Sequence, residues 1–155
     1  MRLARVLQIF VTMPASEPPS SRVYSLRPRI LLVDDDPSVI RAVSRVLREF
    51  RPEFLINTAS GAVQAIAALA EHGYDVVLTD WEMPGGGGRV VLDALAARYP
   101  ETARVVHSSQ LEPSDTFQAY RVHAFLAKPA TESETLGAID GAMRRAASER
   151  VRAAS

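Results

Sequence analysis

Short apolar runs alternate with longer stretches whose apolar residues recur every three or four positions. Ile30 to Val33, Phe54 to Ile56, Val76 to Thr79, Val105 to His107 and Ala124 to Ala127 are the short runs. Runs this short and this continuously apolar predict parallel strands buried on both faces. Between them the period is helical. Val39, Val43, Val46, Leu47 and Phe50 share one side of a first helix, and Arg41, Arg45 and Arg48 the other. Asp36 followed by Pro37 supplies its start, a capping carboxylate and then a proline at the first helical position. Ser60 is the expected cap of a second helix, with Val63, Ile66, Ala67 and Ala70 inward. A third helix is expected over about 89–98 with Val91, Leu92 and Leu95 inward, and a weakly patterned fourth over 114–122. A fifth begins near Glu132 and repeats Leu136, Ile139, Met143 and Ala146. Five strand–helix units in strict alternation predict an α/β fold with right-handed crossovers. The expected architecture is a flavodoxin-like, doubly wound five-stranded parallel sheet of order 2-1-3-4-5 with five helices.

The strand ends carry the candidate chemistry. The first run ends in Asp34, Asp35 and Asp36, the third in Asp80, the fourth in Ser108, and the fifth in Lys128 and Pro129. Ligands of open α/β sheets bind beyond the carboxyl ends of the strands, where the strand order reverses. Asp34, Asp35 and Asp80 would then crowd together, each like-charge pair costing about 1 to 4 kcal/mol near 4 Å according to the local dielectric. A divalent cation removes the conflict, and an all-oxygen donor set with few protein ligands suits magnesium better than calcium or zinc. Lys128 adds a point charge fitted to a phosphoryl oxygen and Ser108 a hydroxyl donor. A carboxylate between a cation and an ammonium is a nucleophile for phosphoryl transfer, which asks mainly for positioning and charge neutralisation. Asp80 stands alone at a central strand end and is the best nucleophile, with an acyl phosphate as product.

Ile-Leu-Leu-Val-Asp-Asp-Asp-Pro at 30–37, Val-Val-Leu-Thr-Asp-Trp-Glu-Met-Pro-Gly at 76–85, the Ser108–Ser109 pair and Phe-Leu-Ala-Lys-Pro at 125–129 stand in order along the chain. With them the sequence resembles the receiver domain of two-component response regulators over residues 29–147. The resemblance implies that Asp80 accepts phosphate from a histidine kinase or phosphotransfer protein. It implies that Asp35 binds Mg2+ directly, Asp34 largely through water, and the Glu82 backbone carbonyl as a further ligand. Lys128, with a cis bond to Pro129, would pair with the phosphoryl group. Ser108 would swing to the phosphate, Phe125 would rotate inward, and the surface of the fourth helix, fifth strand and fifth helix would shift to bind a downstream protein or relay phosphate. Glu82 and Gln110 fall at positions that tune dephosphorylation in the family. Two departures concern kinetics and output: the loop Gly85 to Gly88 has no acid before its last glycine, and the chain has Val122-His123-Ala124 where the family tends to have Gly-Ala before the aromatic of the fifth strand.

Composition narrows the rest. Eighteen Lys and Arg balance eighteen Asp and Glu, which gives no general attraction to nucleic acid or anionic lipid. With no cysteine, disulfides, thiolate zinc sites and cysteine nucleophiles are excluded. The glycine run lacks the lysine and Ser/Thr of a P-loop and reads as a flexible loop. His72, His107 and His123 are scattered and read as structural, and the first helix's arginines as a solvated face or a docking face for a kinase. Residues 1–28, with a short apolar stretch and a Pro/Ser-rich segment, read as a flexible extension, or as sequence ahead of a start at Met13. Residues 148–155 form a tail that finishes the last helix. The expected protein is a cytoplasmic phosphoacceptor acting without a membrane or direct nucleic-acid contact, with a homodimer through the fourth-to-fifth-helix face left open. It is not expected to be an enzyme on a separate substrate. Two rivals remain: a receiver-like scaffold that never takes phosphate, and a Mg2+-dependent phosphohydrolase with an aspartate nucleophile. The second would use Asp34 and Asp36 on the first strand and needs a late acid pair that this chain does not show.

Overall fold

The computed structural model describes residues 27–109 and 115–155. Gln110, the first 26 residues and the expected start of the fourth helix at Ser114 lie outside them. The strands β1 (Arg29–Val33), β2 (Leu55–Ala59), β3 (Val76–Asp80), β4 (Ala103–Ser108) and β5 (Ala124–Ala127) form one sheet of order β2-β1-β3-β4-β5. All four pairings are parallel. The helices are α1 (Pro37–Phe50), α2 (Ala62–Glu71), α3 (Gly87–Arg98), α4 (Asp115–Ala119) and α5 (Glu132–Ala153). The expected flavodoxin-like topology is the observed one.

Successive strand residues enter different cores, as the pleat requires. Ile30, Leu32, Leu78 and Val105 pack with Leu47 of α1 and Ile139, Ala142 and Ala146 of α5. Leu31, Val33, Val77 and Val106 pack on the other face with Leu69 of α2, Val91, Leu92 and Leu95 of α3 and Phe117 of α4. With helices on both faces, β3 and β4 are buried along their whole length. The chain leaves β1 towards β2 but leaves β3 towards β4, so a crevice opens beyond the adjoining ends of β1 and β3.

The helix starts follow local chemistry. Asp36 caps α1, its side chain accepting from the Ser38 N–H at 2.8 Å, with Pro37 at the first helical position. Thr131 and Glu134 form a reciprocal capping box at the head of α5. Several expectations need correction. Ser60 is not the cap of α2: that position is Gly61, and the Ser60 backbone N–H and hydroxyl both donate to Gln64 Oε1. Helix α2 buries Ala65 and Leu69, while Val63 is 87% exposed and Ala67 and Ala70 also face outward. An alanine-rich helix offers several faces at the same spacing, and the bulk of Leu69 selects one. Phe50, expected inward, is exposed at the last turn of α1. Helix α3 starts at Gly87, two residues early, after a 3₁₀ turn at Pro84–Gly86 that uses the positive φ of Gly85 and Gly86.

Arg104, His107 and His123 are among the buried polar residues of β4 and its neighbourhood. The Arg104 guanidinium donates to the carbonyls of Tyr120 (2.7 Å), Pro100 (3.3 Å) and Leu95 (3.4 Å), fastening the end of α3 to the segment before β5. His123 Nδ1 accepts from the Arg104 N–H at 3.0 Å, and Nε2 lies 3.2 Å from Glu149 of α5, so the histidine clamps β4 to α5. His107 has no partner for either ring nitrogen among the described residues. Burial, assisted by the charge of Lys128, pushes its pKa from 6.5 down to about 4. The unfolded chain therefore binds a proton at His107 over a range where the folded one does not, and stability falls as pH drops from 6.5 towards 4. His123, also lowered by burial, acts with the same sign. His107→Leu is expected to raise the unfolding free energy by about 1 kcal/mol and to flatten, without abolishing, its decline over that window, as read by urea denaturation at a series of pH values.

Candidate functional site

Each candidate side chain is set by the end of a strand. Asp34 directly follows β1, Asp80 is the last residue of β3, Ser108 the last of β4, and Lys128 directly follows β5. The Lys128 N–H donates to the Ser108 carbonyl at 2.8 Å, extending the β4–β5 ladder by one step, and its bond to Pro129 is cis. The lysine reaches back across the sheet. Its Nζ lies 2.9 Å from Asp34 Oδ2 and 3.2 Å from Asp80 Oδ1. Asp34 and Asp80 are each 2% exposed, whereas Asp35 is open to solvent. One carboxylate oxygen from each of Asp34, Asp35 and Asp80 lies within 4.8 Å of the other two.

The backbone completes the pocket. The Asp36 N–H donates to Asp34 Oδ1 at 2.9 Å and the Glu82 N–H to Asp80 Oδ1 at 3.0 Å. Asp80 Oδ1 is thus engaged by Glu82 and Lys128, while Oδ2 has no hydrogen-bond partner among the described residues. Gly88 lets α3 press against this strand end: a Cβ there would sit 2.6 Å from the Asp80 carbonyl oxygen and from Trp81 Cα. Burial raises the Asp80 pKa, and the charge of Asp34 adds to it; the Glu82 N–H and Lys128 act against them without reversing the direction. Burial also opposes the charge on Lys128, but its bonds to Asp34 and then Asp80 outweigh it and hold the lysine above its ordinary value. Asp34 is therefore the principal counter-charge of Lys128, and Asp80 is the less committed acid.

The remaining expected residues surround this centre. Ser108 Oγ donates to Glu82 Oε1 at 3.2 Å. Phe125 is half-buried, with its ring 5.4 Å from that of Phe117, which stands edge-on to Trp81 at 4.7 Å. Trp81 is thus packed against α4. Pattern reading missed Phe117, for which the weak periodicity of the fourth helix gave no inward signal. It also assigned no role to Ser109, whose hydroxyl contacts both carboxylate oxygens of Glu82.

A doubly wound parallel sheet with paired acids and a lysine at its switch point defines a class of phosphate-handling signalling domains, and comparison with known proteins agrees. The model of the response regulator receiver domain matches residues 30–140, and the chain belongs to that family. It is 34% identical over 118 residues to the transcriptional regulatory protein KdpE of Mycobacterium tuberculosis, covering 75% of this chain and 51% of that protein. It is 29% identical over 118 residues to the sensor protein GacS of Pseudomonas syringae, covering 71% of this chain and 13% of that one. The chain thus spans about half the length of the first relative and a small part of the second. Among solved structures, the signal receiver domain of an HD domain-containing protein from Pseudomonas fluorescens superposes with a TM-score of 0.70 at 27% identity, over 83% of this chain and 95% of that one. The chemotaxis response regulator CheY4 of Vibrio cholerae shares the fold, with a TM-score of 0.69 at 22% identity over 75% and 98% of the two chains. Phospho-aspartate signalling in two-component systems is the function of this family. Among the described residues no helix is long and apolar enough to cross a membrane.

The electrostatics make a prediction with two signs. Asp80→Asn removes one of two buried neighbouring charges and is expected to raise the thermal midpoint by about 2–4 °C, the equivalent of ~1 kcal/mol for a chain of this size. Lys128→Met leaves Asp34 and Asp80 facing each other and is expected to lower it by at least as much. Calorimetry at neutral pH in the presence of a chelator checks both.

Proposed function

We propose that Asp80 is the phosphoacceptor of a phosphorylation-dependent switch, charged by a histidine kinase or a histidine phosphotransfer protein. The observation that carries the reading is Lys128 Nζ within 3.2 Å of Asp80, with one oxygen of that carboxylate anchored and the other without a hydrogen-bond partner among the described residues. In the transfer, an Asp80 oxygen attacks phosphorus, the phosphorus–nitrogen bond of the donor phosphohistidine breaks, and the imidazole leaves with the bonding electron pair. Lys128, freed in part from Asp80, takes up a phosphoryl oxygen as a charge-assisted donor.

The donor set fits Mg2+: only oxygens converge, two of the acids are buried, and the Asp80 pKa is raised by burial and by Asp34, a conflict that a divalent cation would relieve. Asp34, Asp35 and Asp80, with the Glu82 carbonyl, would hold the ion, which supplies positive charge to the transferring phosphoryl group. Ser108 donates its hydroxyl to the new phosphoryl group, Phe125 turns inward, and the surface of α4, β5 and α5 changes its population of states to engage a downstream protein or pass the phosphate on. A homodimer through that surface is one form of the output. Glu82 and Gln110 set how readily water removes the phosphate, and the protein works in the cytoplasm with no small-molecule substrate.

Acetyl phosphate with Mg2+, followed by intact mass measurement, tests this. Wild type is expected to gain one phosphoryl group and Asp80→Asn none. No gain in wild type returns the chain to a scaffold that binds partners without phosphate. Continuous release of inorganic phosphate from simple esters, without a stable adduct, would favour a hydrolase.

A further inference from the structure

Glu82 touches both ends of the expected switch. Its backbone N–H holds Asp80 Oδ1 at 3.0 Å, and its carboxylate spans the serine doublet at the end of β4. Oε1 accepts from Ser108 Oγ at 3.2 Å and from Ser109 Oγ at 2.8 Å, and Oε2 lies 2.6 Å from Ser109 Oγ. Ser108 is fully buried, whereas Glu82 and Ser109 are exposed at the mouth of the site. The hydrogen bonds from Ser109 and then Ser108 hold the Glu82 carboxyl below the usual carboxylate range, so it is ionised at neutral pH. A hydroxyl has one proton to donate. While Ser108 gives it to Glu82, it cannot give it to a phosphoryl oxygen on Asp80.

We infer that Glu82 and Ser109 form a latch: Ser109 pins the Glu82 carboxylate, and the carboxylate keeps the Ser108 hydroxyl away from the phosphoryl position in the unmodified protein. Glu82 is thus a positioning residue for phosphoryl binding, acting through Ser108, and this rests on the phosphoacceptor reading of Asp80. A phosphoryl dianion opens the latch in two ways. It offers Ser108 a stronger charged acceptor, and its own charge repels the glutamate. Until then only a fraction of molecules presents Ser108 correctly, and the apparent affinity for a phosphoryl group falls by that fraction. A purely repulsive role for the Glu82 charge is a different idea, and Ser109 separates the two, because Ser109→Ala alters no charge.

The probe is beryllofluoride, a phosphoryl mimic, titrated at saturating Mg2+ and followed by the fluorescence of Trp81, the only tryptophan of the chain. Loss of one restraining hydrogen bond is expected to tighten binding about 2- to 10-fold. Ser109→Ala should therefore bind more tightly than wild type, Glu82→Ala more tightly still, and Glu82→Gln, which keeps an acceptor oxygen, between Glu82→Ala and wild type. In a Ser108→Ala background the gain from Ser109→Ala should vanish, because the latch has nothing to hold. An unchanged or weaker affinity for Ser109→Ala, or a gain that persists without Ser108, overturns the latch while leaving the phosphoacceptor reading in place. Failure of wild type to bind beryllofluoride at all overturns that reading and the latch with it.

Discussion

A lysine carried past the edge strand and an acid at each of two central strands meet within hydrogen-bonding distance, and the architecture of the site follows from that meeting. Lys128 lies 94 residues from its principal counter-charge, Asp34, and only the strand order of the sheet brings the two together. The contact is short and its acidic partners are nearly inaccessible, so exchange with water is restricted and each charge depends on the other. Yet one ammonium cannot neutralise two buried carboxylates and a third at the rim. The folded protein retains an excess of negative charge at the crevice, and the proposed cation and phosphoryl group rest on that excess.

The sheet supplies rigidity to this arrangement. Strands β3 and β4 are covered on both faces, and Gly88 allows α3 to close on the backbone behind Asp80. At the opposite end, Arg104 and His123 tie α3, β4 and α5 together through carbonyls and a glutamate. Around the mouth lie the exposed Glu82 and Ser109, and beside them the Trp81–Phe117–Phe125 ring series joins the end of β3 to α4 and β5. A fixed charge centre with an exposed rim is the arrangement that the proposed two-state switch requires.

Much of this was legible in the sequence because the fold repeats one unit. Buried parallel strands read as apolar runs, and their ends mark the crevice, so Asp34, Asp35, Asp80, Ser108 and Lys128 could be placed before any coordinate. The face of α2 was not legible, since alanine satisfies helical spacing on every side and Val63 was the misleading large residue. Nor was the latch. Hydrogen bonds between an exposed glutamate and two serines 26 and 27 residues away leave no periodic trace. The burial of His107 was foreseeable from its place in an apolar strand, but the absence of a partner for its ring among the described residues was not.

The most direct measurement is the thermal midpoint as a function of Mg2+ at constant ionic strength, for wild type and for Asp35→Asn. If the crevice holds an unbalanced cluster of acids, Mg2+ binds the folded form and raises the midpoint with a saturating dependence, by the equivalent of about 2.7 kcal/mol at a hundred times its dissociation constant, and Asp35→Asn weakens the response. A wild-type midpoint indifferent to Mg2+, or an Asp35→Asn curve identical to wild type, would contradict the account.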